Sequence, residues 1–243
     1  MASKRSEWVV RNHEPLRELD ENLWVLEAEL SLLPIGRRMT VFRLPSGRLA
    51  VHSAVACDEP TMRQLEQYGD IELIVVPSGM HRLDAPRYKA RYPDARVVTT
   101  ERSSQRVGKV VAVDGLLDSV EGADSVRHEV LDGASREAVW ILSSQTGATT
   151  LLFNDILMNL PSRLPGFKGW LVKVAGATGG PKVSFDVKVL FVENKRALAD
   201  HLRRLAALPG LCRLIPGHGA IIETPEAPEI LRGVAERLSP APA

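Results

Sequence analysis

The chain has 243 residues, of which 44% are hydrophobic and 25% are charged, and its formal net charge is +1. This apolar content is enough for a sizeable core, and the length suits one large domain or two small ones. A charge this close to zero gives no electrostatic basis for binding nucleic acid or an anionic membrane. We therefore expect neither as a partner and expect a small molecule instead.

The N-terminal sequence and the cysteines indicate where the protein acts. The opening residues, MASKRSEWVVRNHEPL, contain no apolar stretch long enough for a signal peptide, and no segment is apolar enough to span a membrane. Cys57 and Cys212 are too few for a disulfide framework or a thiolate metal site. We interpret both as buried free thiols in a reducing compartment and expect a cytoplasmic protein.

Hydrophobic periodicity and turn residues predict strands interspersed with helices. The predicted strands span residues 22–29, 39–44, 48–53, 73–77, 96–99, 126–131, 137–143, 149–153 and 211–216. Three predicted helices span residues 61–68, 101–107 and 194–207. A fourth follows His81 and ends at residues 92–94, and a fifth begins at residue 226. Residues 1–20 are expected to be a lead-in that docks through Trp8, Val9 and Val10. Residues 114–120 are expected to be a loop, and residues 236–243 a flexible tail.

Residues 161–182 contain three prolines and five glycines. This composition predicts a long excursion or partly mobile loop over one face of the protein. Phe167 and Trp170 lie within it. Two apolar aromatic side chains in such a segment could form a lid over a site or a contact in a homodimer.

Three polar side chains follow the ends of predicted strands. His81 comes after IVVPSGM, Asp155 after LLFN, and His218 lies in IPGHG. Two imidazoles and one carboxylate are a workable ligand set for a divalent metal, although a lone histidine after a strand is more often a hydrogen-bonded loop residue. An Asp after Asn at a strand end is commonly a turn or a helix cap. Asp84 could supply a further carboxylate if its loop bends back.

Other residues near His81 have simpler interpretations. His52 follows a short apolar strand, and we interpret it as an interior or rim histidine rather than a ligand. A solvated helix face is the default interpretation of four basic residues after His81, but they could also attract an anionic substrate. These residues are Arg82, Arg87, Lys89 and Arg91.

The order of strands, with LLFNDIL in mid-chain and LIPGHG near the end, resembles the metallo-β-lactamase superfamily. In that family a mid-chain strand ends in Gly-Asp, whose Asp bridges two metals, and a later Pro-Gly-His supplies a ligand. Asp155 and His218 match those positions, with Asn154 in place of the usual Gly. The resemblance implies an α+β fold, a four-layer αββα sandwich in which two sheets pack face to face between helices. It also implies that residues 1–243 form one domain of this type.

The family's main signature, His-x-His-x-Asp-His, is degenerate in this chain. By the resemblance, His81 matches its last histidine, whereas Val76, Ser78 and Met80 occupy the other three ligand positions. A further family histidine would fall near residues 133–134, where Gly and Ala stand. The same departures resemble a subgroup of unassigned function, which shares a Leu-Trp-Val start and the pair at residues 52–53.

The resemblance therefore implies a hydrolase-like protein with at most one metal ion. His81, Asp155 and His218 would hold one zinc or iron ion, Asp155 would orient or deprotonate a bound water, and residues 161–182 would cover a carbonyl- or ester-type substrate. Two alternatives remain open at this point. The site could bind no metal, and the protein could be a non-catalytic binding or interaction protein that retains the fold.

Overall fold

Seven strands form the sheet of the first half of the chain, in a computed structural model that describes residues 5–30 and 33–241. In sheet order, which is also chain order, they are β1 (Arg17–Asp20), β2 (Leu23–Glu29), β3 (Gly36–Arg43), β4 (Leu49–His52), β5 (Ile71–Val75), β6 (Arg96–Thr99) and β7 (Gly115–Leu116). Strands β3 and β4 are an antiparallel hairpin, whereas β4, β5, β6 and β7 run parallel. Parallel strands need crossover connections.

Helices supply the crossovers of this sheet. They are α1 (Glu59–Tyr68), α2 (Ala85–Arg91) and α3 (Glu101–Val107). Helix α1 begins where the sequence predicts, because the carboxylate of Asp58 accepts a hydrogen bond from the Thr61 amide and a proline occupies the first turn. Apolar residues of sheet and helices share one core, in which Tyr88 and Met62 are fully buried.

The second half of the chain contains two further sheets. Strands β8 (Val126–Val130), β9 (Ala138–Ser143), β10 (Thr149–Leu152), β13 (Leu211–Ile215) and β15 (Ile222–Glu223) form one in the order β15-β13-β10-β9-β8. Strands β11 (Met158–Leu160), β12 (Gly180–Lys182) and β14 (His218–Gly219) form the other in the order β12-β11-β14. Strands β10 and β13 are parallel neighbours, so their carboxyl ends lie at the same edge.

Four helices belong to this half. They are α4 (Gly166–Val174), α5 (Phe185–Leu190), α6 (Lys195–Leu205) and α7 (Ala227–Leu238). In α6 the predicted apolar face, Leu198, Leu202 and Leu205, is buried in the core. The Asn194 side chain caps this helix by accepting hydrogen bonds from the amides of Arg196 and Ala197.

The chain divides into two compact units, one of residues 1–29 with 37–126 and the other of residues 30–36 with 127–243. Each has its own core and its own mixture of strands and helices. The α+β class predicted from the sequence is therefore confirmed, and the single domain stays a prediction. Within residues 5–30 and 33–241, no helix combines the length and apolar content needed to cross a bilayer.

Several local predictions are wrong. Residues 161–182 are not a loop, because they contain helix α4 and strand β12. Residues 114–120 contain strand β7 and a short 3-10 helix at Leu117–Ser119. Helix α7 extends to Leu238, so residues 236–238 of the predicted tail are helical, and residues 242 and 243 lie outside the described part.

The predictions for the cysteines and for the N-terminal lead-in are confirmed only in part. Cys57 is a buried thiol, and burial raises its pKa to about 12. Cys212 is only half-buried, which contradicts the predicted burial. Trp8 docks as expected, since its indole N–H donates to the Cys57 carbonyl at 2.9 Å and its ring lies 5.3 Å from that of Tyr88. Val9 and Val10, by contrast, are exposed.

His201 on α6 is buried with its ring between two acidic residues. The amide of Asp132 donates to Nδ1 at 3.0 Å, so Nδ1 has no proton, and Nε2 lies 3.1 Å from the Glu129 carboxylate. Burial, followed by the charge of Arg204, lowers the pKa of His201 from its ordinary 6.5. The fold therefore stabilises the neutral ring.

Because the pKa of His201 is lowered in the folded protein, the free energy of unfolding should depend on pH. A group whose pKa is lower in the folded state contributes stability above its unfolded pKa, 6.5 for His201, and loses that contribution as the pH falls toward the folded value. We expect His201→Gln to be less stable than the wild type near neutral pH, with a difference that shrinks in acid. Urea unfolding of both proteins between about pH 8 and about pH 5 measures it. A difference that stays constant or widens in acid would contradict the assignment.

Candidate metal centre

Asp155 and His218 meet because the strands before them are neighbours. Strands β10 and β13 end side by side, and the Phe153 amide donates to the Ile215 carbonyl at 2.8 Å just beyond them. The Gly217 amide then donates to the Asn154 carbonyl at 3.2 Å. This pairing brings Nε2 of His218 to 3.3 Å from Oδ1 of Asp155. Two of the three predicted ligands, which are far apart in the sequence, thus lie in direct contact.

The orientation of the His218 ring is fixed by a backbone carbonyl. Nδ1 of His218 lies 2.6 Å from the carbonyl oxygen of Gly36, a residue of the same unit. A carbonyl can only accept, so Nδ1 bears the proton and donates it. In the neutral ring Nε2 is then a lone pair directed at a carboxylate oxygen. Both atoms are electron-pair donors, so a cation between them would be favoured.

Glu137 holds the loop that contains Asp155. Its carboxylate is fully buried and accepts three hydrogen bonds, from the Asn154 side-chain amide at 3.1 Å and from the backbone amides of Asp155 at 3.3 Å and Ile156 at 3.0 Å. Burial, and next the charge of Asp155, raises the pKa of Glu137 well above its ordinary value, while the three N–H groups oppose the shift. Glu137 was not among the site residues predicted from the sequence. The sequence feature that could have indicated it is a carboxylate at the start of the apolar run EAVWILS.

Gly219 allows strand β14 to approach β11 after His218. Its φ is +87°, and a Cβ at this position would lie 2.1 Å from the Asn159 carbonyl oxygen. Gly147 has a similar φ of +82° but open space around the same position. The two glycines therefore differ in the space around them rather than in backbone conformation.

We expect Gly219→Ala to lower the free energy of unfolding by about 2–3 kcal/mol, because it combines left-handed strain with a backbone clash. Gly147→Ala introduces the backbone strain without the clash and should lower the free energy of unfolding by about 1 kcal/mol. Chemical denaturation of the two variants measures the difference. Equal losses would show that the close approach of β14 to β11 adds nothing to stability.

His81 lies in the first unit, in the loop after β5. Its ring is nearly buried, and Nδ1 is 2.9 Å from the hydroxyl of Ser53, the residue after β4. Ser53 has a φ of +56°, which is uncommon for a residue other than glycine, and its amide donates to the Val75 carbonyl at 3.0 Å. A bond at Nδ1 leaves Nε2 as the ring nitrogen that can bind an ion.

Asp84 is unsuited to be a ligand. Its carboxylate is fully buried and forms ion pairs with Arg11 at 3.1 Å, with Arg87 at 2.9 Å and with Arg37. The Ala56 amide also lies 3.4 Å from it. Three guanidinium groups already engage both oxygens, so the suggestion that this loop bends back to supply a metal ligand is wrong.

The basic residues after His81 are engaged with protein groups. Arg87 pairs with Asp84, Lys89 with Asp114 at 3.0 Å, and Arg91 with Glu59 at 2.9 Å and Glu66 at 3.0 Å. The Arg82 guanidinium donates to the Arg106 carbonyl. These contacts account for the four side chains without an anionic substrate.

The remaining signature positions contain no imidazole and no carboxylate. The side chains of Val76 and Ser78 are buried, whereas that of Met80 is 61% exposed. His52, at the end of β4, is a buried interior residue, as the sequence analysis proposed.

This chain is similar to known proteins in structure but not detectably in sequence. The sequence matches no protein-family model and no curated protein. The DIM-1 metallo-β-lactamase exposed to ceftazidime aligns with a TM-score of 0.61 and 13% identity over 95% of this chain and all of its own. The metallo-β-lactamase from Erythrobacter litoralis aligns with a TM-score of 0.60 and 12% identity over 91% of this chain and 96% of its own.

A third structure is FIM-1 from Pseudomonas aeruginosa in its mono-zinc form, with a TM-score of 0.57 and 10% identity over 92% of this chain and 96% of its own. At these identities the similarity concerns the fold alone. It covers nearly the whole chain in each case. The predicted α+β fold of the metallo-β-lactamase type is therefore confirmed: this chain has the fold of the metallo-β-lactamase superfamily.

Proposed function

We propose that the protein is a metal-dependent hydrolase-like protein that uses a single zinc or ferrous ion, held by His81, Asp155 and His218, on a small carbonyl- or ester-type substrate. The observation that supports it most is the pair of electron donors, Nε2 of His218 and Oδ1 of Asp155, at 3.3 Å. The Gly36 carbonyl fixes the proton of His218 on the opposite nitrogen, as the outer hydrogen bond of a metal-bound histidine does.

The donor set fits such an ion. Imidazole nitrogen and carboxylate oxygen are ligands of zinc and of non-haem iron, and three protein ligands leave room for water or substrate. Asp155 and His218 are buried, so few waters compete for them. The mono-zinc form in which FIM-1 was crystallised shows that this fold can be isolated with one zinc ion, which supports proposing one here.

His81 would be the third ligand. The Ser53 hydroxyl binds its Nδ1 and would orient the ring, as the Gly36 carbonyl does for His218. Both histidines would then coordinate through Nε2. Loss of the other imidazoles, at the positions of Val76 and Ser78, is the reason for proposing one ion rather than two.

A bound zinc or ferrous ion would lower the pKa of a water molecule and polarise a substrate carbonyl. The chain's own residues would do the rest. Asp155 would accept the proton of the attacking water. Glu137 would keep the Asp155 backbone in place through the Asp155 and Ile156 amides. His218 would keep its Nδ1 proton on the Gly36 carbonyl, so that Nε2 is the nitrogen that faces the ion.

A hydrolysis assay tests this function. Protein loaded with zinc or ferrous iron is assayed against lactones, thioesters, phosphate esters and β-lactams, beside a chelator-treated sample and the Asp155→Asn and His218→Ala variants. We expect turnover of at least one class that chelation and both variants abolish. Metal binding without turnover of any class would instead favour a non-catalytic binding protein with this fold. Turnover that Asp155→Asn retains would contradict the role of Asp155.

A further inference from the structure

Helix α4 exposes its apolar side. Phe167, Trp170, Leu171 and Val174 lie at positions i, i+3, i+4 and i+7, so they form one stripe along the helix. All four are exposed, Phe167 by 72% and Trp170 by 55%. Gly169 and Val172, on the opposite side, are the buried residues. In an ordinary surface helix the apolar stripe faces the core, whereas in α4 it faces away from the core.

Helix α5 extends the exposed apolar surface. A Cβ on Gly176, just after α4, would lie 3.1 Å from the Cβ of Phe185 at the start of α5, so the two helix ends are in contact. Phe185 and Val189 are exposed, whereas Val187 is buried in the core. We call these six exposed residues the α4–α5 patch: Phe167, Trp170, Leu171, Val174, Phe185 and Val189.

Positive charge surrounds the α4–α5 patch. With about 100° of rotation per residue, Lys168 and Lys173 fall on either side of the α4 stripe. Residues 161–190 contain five Lys and Arg but one acidic residue, Asp186, whereas the whole chain has 31 Lys and Arg against 30 Asp and Glu. The near-zero net charge of the chain therefore conceals one strongly basic region.

Further cations lie beside α5. Burial, and then the charges of Lys195, Lys182 and Arg237, lower the pKa of the Lys188 ammonium group. Like charges gathered here disfavour one another in the isolated protein. An anionic partner would relieve that repulsion.

From the exposed stripe and its cationic borders, we propose that the α4–α5 patch docks on the surface of a membrane that contains anionic lipids. Interfacial helices have this combination of Trp, Phe and Leu on one face and lysines beside it. The apolar side chains would enter the headgroup–acyl boundary. The lysine stems would extend over the apolar surface while their ammonium groups reach lipid phosphates.

Charge disfavours the main alternative. In a two-fold dimer the same patch would face itself and bring lysines together across the interface. The earlier expectation of no membrane partner depended on net charge alone, and the local asymmetry overrides it. The proposal is independent of the metal centre.

Vesicle flotation of the full-length protein tests it, with vesicles of phosphatidylcholine alone and of phosphatidylcholine mixed with phosphatidylserine. We expect binding to the anionic vesicles only. Lys168→Gln and Lys173→Gln should each weaken it about fivefold, and Leu171→Gln about tenfold. Val10→Gln, at an exposed valine of the first unit, is the matched control and should bind as the wild type does.

Tryptophan fluorescence provides a second readout. Trp24 and Trp140 are already buried, and Trp8 is half-buried with its indole N–H bonded to the Cys57 carbonyl. A blue shift on adding anionic vesicles should therefore be lost in Trp170→Phe. Failure to bind any vesicle, equal binding to neutral vesicles, or binding that the patch variants leave unchanged would each overturn the proposal. A stable dimer that Leu171→Gln dissociates, without vesicle binding, would assign the patch to a second copy of the chain.

Discussion

Replacing Asp84 by Asn is expected to lower the free energy of unfolding by about 3–5 kcal/mol, the usual result of breaking a buried ion pair. Arg11, Arg37 and Arg87 converge on this fully buried carboxylate. Asn preserves the size of the side chain but leaves three cations without a countercharge. Burial already lowers the pKa of Arg37, and Asp84 is the main opposing influence.

Urea unfolding measures this loss, and Asp200→Asn is the control. Asp200 pairs with Arg203 at 2.7 Å on an exposed helix surface, where such a pair contributes about 0–1 kcal/mol. A double-mutant cycle separates charge from packing: Arg11→Gln should be less destabilising in the Asp84→Asn background than in the wild type. A loss no larger than that of Asp200→Asn would refute the role of the cluster.

Glu137→Gln is expected to weaken zinc binding about 10–100-fold, the usual effect of removing an outer partner of a metal ligand. The carboxylate accepts from Asn154, Asp155 and Ile156. Gln has one acceptor oxygen and an NH₂ group, so at least one N–H would face another donor and the Asp155 loop would shift.

Stability should change less than zinc affinity in this variant. Burial raises the pKa of Glu137, so a neutral side chain also removes part of the cost of burying the carboxylate. Equilibrium dialysis with zinc and urea unfolding together distinguish the two effects. Glu223→Gln, at a partly exposed carboxylate that pairs with Arg213 at 2.6 Å, is the matched control. Unchanged zinc affinity in Glu137→Gln would show that Asp155 needs no such support.

The strands and longer helices were predictable because their signals are local. Runs such as LLF before Asn154 and LCRLI before Pro216 are short and are followed by turn residues, which favours buried strands. The parallel pairing of β10 and β13 then brings Asp155 beside His218. The sequence could indicate the two ligands but not this pairing, which depends on contacts between distant segments.

The missed elements have weak or contrary local signals. Strands β11, β12 and β14 contain two or three residues each, too few for alternation to be visible. Helix α4 has its apolar stripe on the exposed side and lies among glycines and prolines, so composition favoured a loop. Its exposed stripe is also the feature that suggests a partner.

The partners of Asp84 and Glu137 were not predictable either. Arg11 and Arg37 are far from Asp84 in the sequence, and charge pairing over such separations follows from the fold alone. The positive φ of Ser53 likewise depends on the β4–β5 connection. Such residues differ from ordinary polar positions only once the fold is known.

The central claim is that one divalent ion is held by His81, Asp155 and His218, and elemental analysis tests it most directly. The protein is purified without added metal, then loaded with zinc or ferrous iron and freed of excess, beside His81→Ala, His218→Ala and, as a histidine outside the set, His201→Gln. We predict one ion per chain in the wild type and in His201→Gln, and none in the two alanine variants. A wild type that retains no stoichiometric ion after loading, or alanine variants that keep theirs, would contradict the account.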